Sequence, residues 1–195
     1  ELKFLKSQYH PHFLFNALNT VYFQIDESNK APRRTLEMIS ELLRYQLYGG
    51  NQKVSILQEI DYLKTYIALR KLRMSERLRL RVEFPPELNE LNIYPLLFLP
   101  LVENAFKYVG GDYQLDIIMK WENNRISLFI RNSIPELSAE DEALRKSVDE
   151  RQRKGIGLVN LRRRLSLLYP NKHRLETRKE ETEFVAELMI EIEDI

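Results

Sequence analysis

Cysteine is absent from the 195 residues of this chain, which excludes a disulfide scaffold, cysteine-ligated zinc and thiol catalysis. No apolar run approaches the roughly 20 residues needed to cross a bilayer as a helix, and no signal peptide is visible. Neither sign of charge dominates, because 30 basic and 29 acidic side chains leave a formal net charge of +1. No bulk field therefore points to direct contact with nucleic acid or with an anionic membrane surface.

What the chain does have is a regular apolar pattern in its first 50 residues. Apolar side chains recur at helical spacing from Leu14 to Ile25, and a polar set that includes His12 and Asn16 lies on roughly the opposite face. A turn-like link over 26–32 leads to a second amphipathic helix, which a pair of glycines closes. A helical hairpin buries little surface alone, so we expect two copies to form a dimeric four-helix bundle.

The pattern changes beyond this hairpin. A third helix is predicted over 54–74, and alternating strands with two further helices follow it. One strand pair is predicted over 114–133, around a turn at Glu122-Asn123-Asn124. The predicted fold class is therefore α+β, with a helical hairpin domain over 1–50 and an alternating helix-and-strand domain over 51–195.

The segment QYHPHFLFNALNT places two histidines at the start of the first helix. His12 and Asn16 are one turn apart and face away from the apolar stripe. A neutral imidazole on a helix surface is a competent nucleophile toward phosphorus, and Asn16 could orient the ring. A lone surface histidine is usually without function, however, so the residue pattern alone leaves both interpretations open.

The longer string PHFLFNALN resembles the phosphoacceptor segment of LytS/YehU-type sensor histidine kinases, whose signature is PHFLFN. The resemblance implies that His12 accepts phosphate from ATP and that His10 is only a neighbour. It also makes Asn16 a candidate for placing water in the reverse, dephosphorylating reaction. Many other histidine kinases have an acidic residue directly after the acceptor; Phe13 stands there in this chain, so no general base is evident.

A second constellation lies in LPLVENAFKYVGG and RKGIGLVNLRRRL. Asn104 and Lys107 share one face of an otherwise apolar helix, and an amide oxygen with a nearby ammonium suits Mg²⁺ and phosphate. Gly155 and Gly157 permit close backbone approach, and the helix behind them offers free N–H groups to an anion. Helix capping and a simple loop-to-helix turn are the alternatives for these two segments.

Both segments resemble the ATP-binding module of the GHKL (Bergerat) type, which histidine kinases share with gyrase, Hsp90 and MutL, and the resemblance implies an α/β-sandwich fold for residues 51–195. LVENAFK is similar to its N box and GIGLVN to its second glycine box. The resemblance implies ATP and Mg²⁺ as cofactors, with Asn104 on the metal, Lys107 on phosphate and Tyr108 beside the nucleotide. It also implies a lid over 134–154 and nucleotide contacts from the glycine box: Gly155, Gly157, Leu158 and Asn160.

Asn132 departs from the pattern of this module. A similar strand usually ends in Asp, followed by Gly-x-Gly, and that Asp accepts a hydrogen bond from the adenine amino group. Asn132 occupies the Asp position here, and Ser133-Ile134-Pro135 replaces the glycines. An amide oxygen still accepts such a bond without charge assistance, so we expect affinity to fall roughly fivefold, or about 1 kcal/mol.

Pro100 helps to choose among the possible functions. Gyrase-type ATPases carry a water-activating glutamate where this chain has Pro100, which argues against hydrolysis and for transfer to a protein nucleophile. The resemblance then implies a sensor histidine kinase that passes phosphate to an aspartate of a response regulator, commonly of the LytTR type. A non-catalytic dimeric signalling module with a degraded nucleotide pocket is the alternative.

The chain opens on ELKFLKSQYH, which is already amphipathic and lacks an initiator Met. We therefore expect an upstream portion to be missing from this sequence. In the family that portion is usually a membrane-anchored sensor, so we expect these residues to lie on the cytoplasmic side of the inner membrane.

Overall fold

Five α-helices and seven β-strands form the regular structure of the residues that a computed structural model describes, which are 11–48, 52–86, 88, 91–135 and 156–192. The helices are α1 (Pro11–Gln24), α2 (Lys30–Tyr48), α3 (Ile56–Lys71), α4 (Leu99–Tyr108) and α5 (Ile156–Leu168). The strands are β1 (Val54–Ser55), β2 (Arg79–Glu83), β3 (Asn92–Ile93), β4 (Gln114–Glu122), β5 (Arg125–Ser133), β6 (His173–Lys179) and β7 (Glu183–Glu191).

Helices α1 and α2 form an antiparallel hairpin, as the sequence predicts. The Tyr22 hydroxyl donates to the Glu37 carboxylate at 3.0 Å near the closed end of the hairpin. Near the open end, the Phe15 and Tyr48 rings stack with centroids 6.1 Å apart. The Asp26 carboxylate accepts the Ser28 backbone N–H at 2.8 Å and so closes the connecting turn.

Helix α3 begins two residues after the start of the predicted span 54–74, because Ser55 caps it, and it ends at Lys71. The Ser55 hydroxyl accepts the Leu57 backbone N–H, and the Gln58 side chain accepts the Ser55 N–H in return. Val54 and Ser55 instead pair with β3 as a two-stranded sheet. Strands of two residues are too short for alternation to show in the sequence.

The main sheet has five strands in the order β2-β4-β5-β7-β6. Strand β2 runs parallel to β4, and the other neighbours are antiparallel. The predicted β4–β5 hairpin is confirmed, with Asn123 and Asn124 in the turn at φ of 52° and 58°. Asparagine tolerates this left-handed conformation, which a tight two-residue hairpin needs at both positions.

One face of this sheet carries the core. Alternate side chains of β4, β5 and β7 are buried, among them Ile117, Leu128 and Leu188. Helix α4 packs on β4 and β5, and α5 packs on β6 and on α4. The chain is therefore a mixed α/β structure, in agreement with the predicted combination of helices and strands.

Within the described ranges, no helix combines the length and apolar character needed to cross a membrane.

We expect Leu63→Ala to lower the free energy of unfolding by about 3 kcal/mol, since this α3 side chain is fully buried in the core. Urea denaturation measures the change. Leu57→Ala is the matched control, because Leu57 lies on the same helix and is 52% exposed. It should alter stability by no more than about 0.5 kcal/mol. Equal losses in both variants would contradict the packing of α3.

Candidate active site

His12 lies in the first turn of α1, and its side chain is exposed. The Asn16 side-chain nitrogen is 3.1 Å from Nδ1 of the imidazole, so these two predicted residues do meet. Phe13, directly after His12, is 73% exposed. His10 lies outside the described residues. The ring of His12 is thus held at one nitrogen and open to an incoming group at the other.

Helix α4 carries three of the predicted nucleotide residues. Asn104 and Tyr108 are half-buried, whereas Lys107 is exposed in the last turn. The Lys107 ammonium lies 4.9 Å from the centre of the Tyr108 ring, within the range of a cation–π contact. Pro100 sits in the first turn of α4, where proline is well tolerated. The N-box segment therefore forms one helix with its polar groups toward its C-terminal end.

The residues after α4 are tied to the end of β5. The Ser133 hydroxyl donates to the Gly110 carbonyl at 2.6 Å, and the Gly110 N–H donates to the Ser133 carbonyl at 3.0 Å. A Cβ on Gly110 would meet the Pro135 ring at 2.9 Å, and Gly111 adopts a φ of +59°. These close approaches explain the glycine pair and bring the end of β5 beside the end of α4.

Asn132 is fully buried at this end of β5. Its Nδ2 donates to the Ser133 carbonyl at 3.2 Å. Its Oδ1 is buried and accepts no hydrogen bond from any described residue. An unsatisfied buried acceptor costs about 1–3 kcal/mol, so a ligand donor that reached Oδ1 would remove this penalty.

Helix α5 begins at Ile156, within the second glycine box. Gly157 is exposed, and a Cβ added there would meet no heavy atom of the described residues within 4 Å. Leu158 packs against the core, while Asn160 is exposed. Gly155 and most of the predicted lid, residues 136–154, lie outside the described residues. With respect to the residues that the structure describes, the first turn of α5 thus has open space beside its backbone N–H groups.

Glu103, directly before Asn104, is exposed on α4. Partial desolvation raises the pKa of its carboxyl, and the charge of Arg70 opposes the rise. The Arg70 guanidinium also lies 5.6 Å from the centre of the Phe106 ring on α4. Arg70 thus links α3 to α4 and places a positive charge near Glu103.

The sequence interpretation missed Glu59, which is fully buried on α3. Its Oε2 accepts the Tyr45 hydroxyl at 2.6 Å and the Leu96 backbone N–H at 2.9 Å. Burial raises the pKa of Glu59, and these hydrogen bonds oppose the rise. A signal was present, because Glu59 adjoins Ile60 within the apolar stripe of α3. An acidic residue at a buried position requires partners.

The sequence interpretation also did not identify the structural role of Arg164. Its guanidinium donates to the Pro95 carbonyl at 2.8 Å and to the Leu96 carbonyl at 3.4 Å. Leu96 has a φ of 58°, a left-handed conformation that is unfavourable for leucine. The strained turn that leads into α4 is therefore held from α3 by Glu59 and from α5 by Arg164.

Within the part of the chain that the structure describes, no group of three or more His, Asp or Glu side chains is placed to hold a metal ion. Asn104 could supply one oxygen ligand. Mg²⁺ commonly takes one or two protein ligands and fills its remaining positions with phosphate oxygens and water. The donor set therefore fits a metal that arrives with a nucleotide.

Comparison with known proteins finds the same family that the motifs resemble. The family model described as histidine kinase matches residues 1–78, which include the PHFLFN segment. The sensor protein kinase HptS of Staphylococcus aureus strain USA300 is 29% identical over 180 residues, covering 90% of this chain and 35% of HptS. The chain thus spans about a third of the length of that relative. The resemblance to sensor histidine kinases that the motifs indicate is confirmed.

Solved structures of histidine kinases also align with the chain. Acinetobacter baumannii AdeS is 12% identical, with 95% of this chain and 96% of that chain covered and a TM-score of 0.46. The mycobacterial sensor histidine kinase MprB is 13% identical, with 74% and 99% covered and a TM-score of 0.48.

Proposed function

We propose that this chain is the catalytic core of a sensor histidine kinase in a two-component system. It transfers the γ-phosphoryl group of ATP to His12 and passes it to an aspartate of a response regulator. The observation that carries this proposal is the exposed imidazole of His12, oriented by Asn16 within the segment that the histidine kinase model matches. Because the chain covers 35% of HptS, the activity of the whole protein is part of the proposal.

The chemistry at His12 follows from its ring nitrogens. The Asn16 amide can present either its nitrogen or, turned by 180°, its oxygen to Nδ1. With the oxygen facing the ring, Asn16 accepts a hydrogen bond from Nδ1–H, and this tautomer leaves the lone pair on Nε2. Nε2 then attacks phosphorus, the N–P bond forms, and the bond to the ADP oxygen breaks. The proton remains bonded to Nδ1 and hydrogen-bonded to the amide oxygen during transfer, so the phosphorylated ring forms as a cation and this step needs no separate base.

We assign the nucleotide site to α4, the end of β5 and the start of α5. Asn104 would hold Mg²⁺, Lys107 a phosphate oxygen and Tyr108 the side of the nucleotide, while Asn132 would accept from the adenine amino group. Mg·ATP supplies the phosphoryl group and neutralises the charge that develops during transfer. The glycine box would surround the phosphates through four residues: Gly155, Gly157, Leu158 and Asn160.

Pro100 supports transfer over hydrolysis. It occupies the first turn of α4, one turn before Asn104, where a water-activating carboxylate would have to stand. Proline has no group that can accept a proton from water. We therefore expect the phosphoryl group to reach a protein nucleophile and not bulk water.

Two domains make up this proposed core, an acceptor hairpin over 1–50 and a catalytic domain over 51–195. His12 lies on α1, which packs against α2, whereas the proposed nucleotide residues on described helices lie on α4 and α5. Transfer therefore requires the two parts to approach, and we place the hinge near residues 49–54. The remaining assignments rest on the family: a response regulator of the LytTR type, a membrane-anchored sensor region upstream, and a cytoplasmic position for this core.

A second copy of the chain would cover α1. Phe13, Ala17 and Val21 form an exposed row at spacings of four on this helix, and α1 has no buried residue in the single chain. Apolar rows of this kind normally pack against another helix. They support a dimeric four-helix bundle built from two hairpins.

Val21→Glu is expected to convert the dimer to a monomer, because it places a charge in the middle of this apolar row. Light scattering should then give the 23.3 kDa chain mass, against twice that mass for the native chain. Gln24→Glu adds the same charge at an exposed position of α1 and should remain dimeric. A native chain that is already monomeric would contradict the bundle.

Asn132→Leu should separate nucleotide affinity from stability. It removes the amide whose Oδ1 has no described partner, so the free energy of unfolding should stay constant or rise by about 1 kcal/mol. Affinity for Mg·ADP should fall about 5- to 10-fold, because the adenine amino group loses its acceptor. Urea denaturation and calorimetric titration measure the two quantities. Unchanged affinity would remove Asn132 from the site.

Titration with Mg·ADP tests the nucleotide site against the alternative of a non-catalytic signalling module. A kinase must bind Mg·ADP and must lose affinity when Mg²⁺ is chelated. A signalling module with a degraded pocket binds no nucleotide at millimolar concentration. Asn132 in place of the expected acid is the observation that favours that alternative, although its free Oδ1 remains an acceptor.

A further inference from the structure

The hairpin and the nucleotide helix meet at one buried carboxylate. Tyr45 on α2 donates its hydroxyl to Glu59 Oε2 at 2.6 Å. The same oxygen accepts the Leu96 N–H at 2.9 Å, three residues before α4 begins. We call Tyr45, Glu59, Leu96 and Arg164 the junction cluster. One oxygen atom thus connects the acceptor hairpin to the entrance of α4.

The surroundings of Tyr45 make this contact part of a packed interface. Its ring stacks on Tyr62 with centroids 4.6 Å apart and an interplanar angle of 26°. Gln46 Nε2 donates to the Tyr62 hydroxyl at 2.6 Å, and Leu42 is buried in the same core as α3. Any movement of the hairpin away from α3 must therefore break the Tyr45–Glu59 hydrogen bond.

The turn at Leu96 depends on its anchors. Leu96 is held in a left-handed conformation that leucine adopts only under constraint. Phe98, at the N-terminal cap of α4, provides no side-chain hydrogen bond to the helix. Glu59 places its carboxylate there instead: Oε2 accepts the Leu96 N–H, and Oε1 is buried without a hydrogen-bond partner among the described residues. The position of α4, with Asn104 and Lys107, thus depends on Glu59 and on Arg164 of α5.

We propose that Tyr45 and Glu59 are positioning residues that couple the packing of the acceptor hairpin against α3 to nucleotide binding on α4. The hydrogen bond from Tyr45 fixes Glu59, and Glu59 fixes the turn from which α4 starts. This proposal rests on the proposed kinase function for the identity of the ligand. Because such coupling is reciprocal, nucleotide bound at α4 must in turn hold the end of α2 more firmly against α3.

Hydrogen exchange of the 195-residue chain, with and without Mg·ADP, measures this coupling. In the native chain Mg·ADP should slow exchange of the amides of residues 42–48 at least about fivefold. Tyr45→Phe keeps the ring and its stacking but removes the hydroxyl, and should leave less than about a twofold slowing. Tyr48→Phe is the matched control on the same helix, where the side chain is 65% exposed, and should keep the full effect.

Glu59→Leu removes both acceptor oxygens at the other end of the hydrogen bond and should also lose the nucleotide-dependent slowing. A merely structural role would change the basal exchange rate but not its response to Mg·ADP. Equal slowing in the native chain and in Tyr45→Phe, with Mg·ADP bound in both, would overturn the coupling alone. Failure of the native chain to bind Mg·ADP would overturn the nucleotide site itself and the coupling with it.

Discussion

His12→Gln is expected to abolish labelling of this chain by γ-labelled ATP. Glutamine preserves a polar side chain of similar length but has no nitrogen lone pair that can attack phosphorus. The imidazole of His12 is exposed, and only one of its nitrogens lies beside Asn16. Loss of the acceptor should leave nucleotide binding intact, because α1 packs on α2 and the nucleotide residues lie on α4 and α5.

Two controls make this result specific. His10→Gln replaces the neighbouring histidine and should retain labelling, since His10 lies outside the PHFLFN signature. His12→Gln should also bind Mg·ADP with native affinity by calorimetric titration. Label that persists in His12→Gln and disappears in His10→Gln would move the acceptor by two residues and contradict the assignment.

The second large effect is expected on Mg·ADP affinity when the proposed Mg²⁺ ligand is removed. Asn104→Ala removes the only side-chain oxygen that we assign to Mg²⁺, so affinity for Mg·ADP should fall at least about 100-fold. Affinity for ADP without Mg²⁺ should change much less, because the adenine contact at Asn132 remains. Calorimetric titrations with and without a chelator give both numbers.

Asn19→Ala is a suitable control for this variant. It makes the same chemical deletion at an exposed position on α1, remote in the chain from α4, and should bind Mg·ADP normally. Urea denaturation of both variants separates a binding defect from a folding defect. An equal loss of affinity for ADP in the presence and absence of Mg²⁺ would place Asn104 on the nucleotide and not on the metal.

The elements that could be predicted from the sequence are those that local physics determines. The apolar spacing of α1 to α3 and the alternation of β4 and β5 appear directly in the sequence, and the Asn123–Asn124 turn requires residues that tolerate a positive φ. The N box falls on α4, and the described part of the glycine box, which starts at Ile156, falls on α5. The His12–Asn16 contact also follows from helical spacing alone.

Other features depend on contacts between distant parts of the chain. The pairing of β1 with β3 joins Val54 to Ile93, and two-residue strands leave no periodic signal. Ser133 meets Gly110 only because β5 ends beside α4. Glu59 bonds to Tyr45 and Leu96, which are 14 and 37 residues away. An acidic residue in an apolar stripe indicates a buried partner but does not identify it.

Labelling of the native chain with ATP carrying its label at either the γ or the α position tests the central claim most directly. The proposed kinase should incorporate γ label with Mg²⁺ present, incorporate no α label, and form a bond that is labile in acid and stable in alkali, as a phosphorus–nitrogen bond is. Release of labelled phosphate into solution without labelled protein, or no transfer despite bound Mg·ATP, would contradict autophosphorylation at His12.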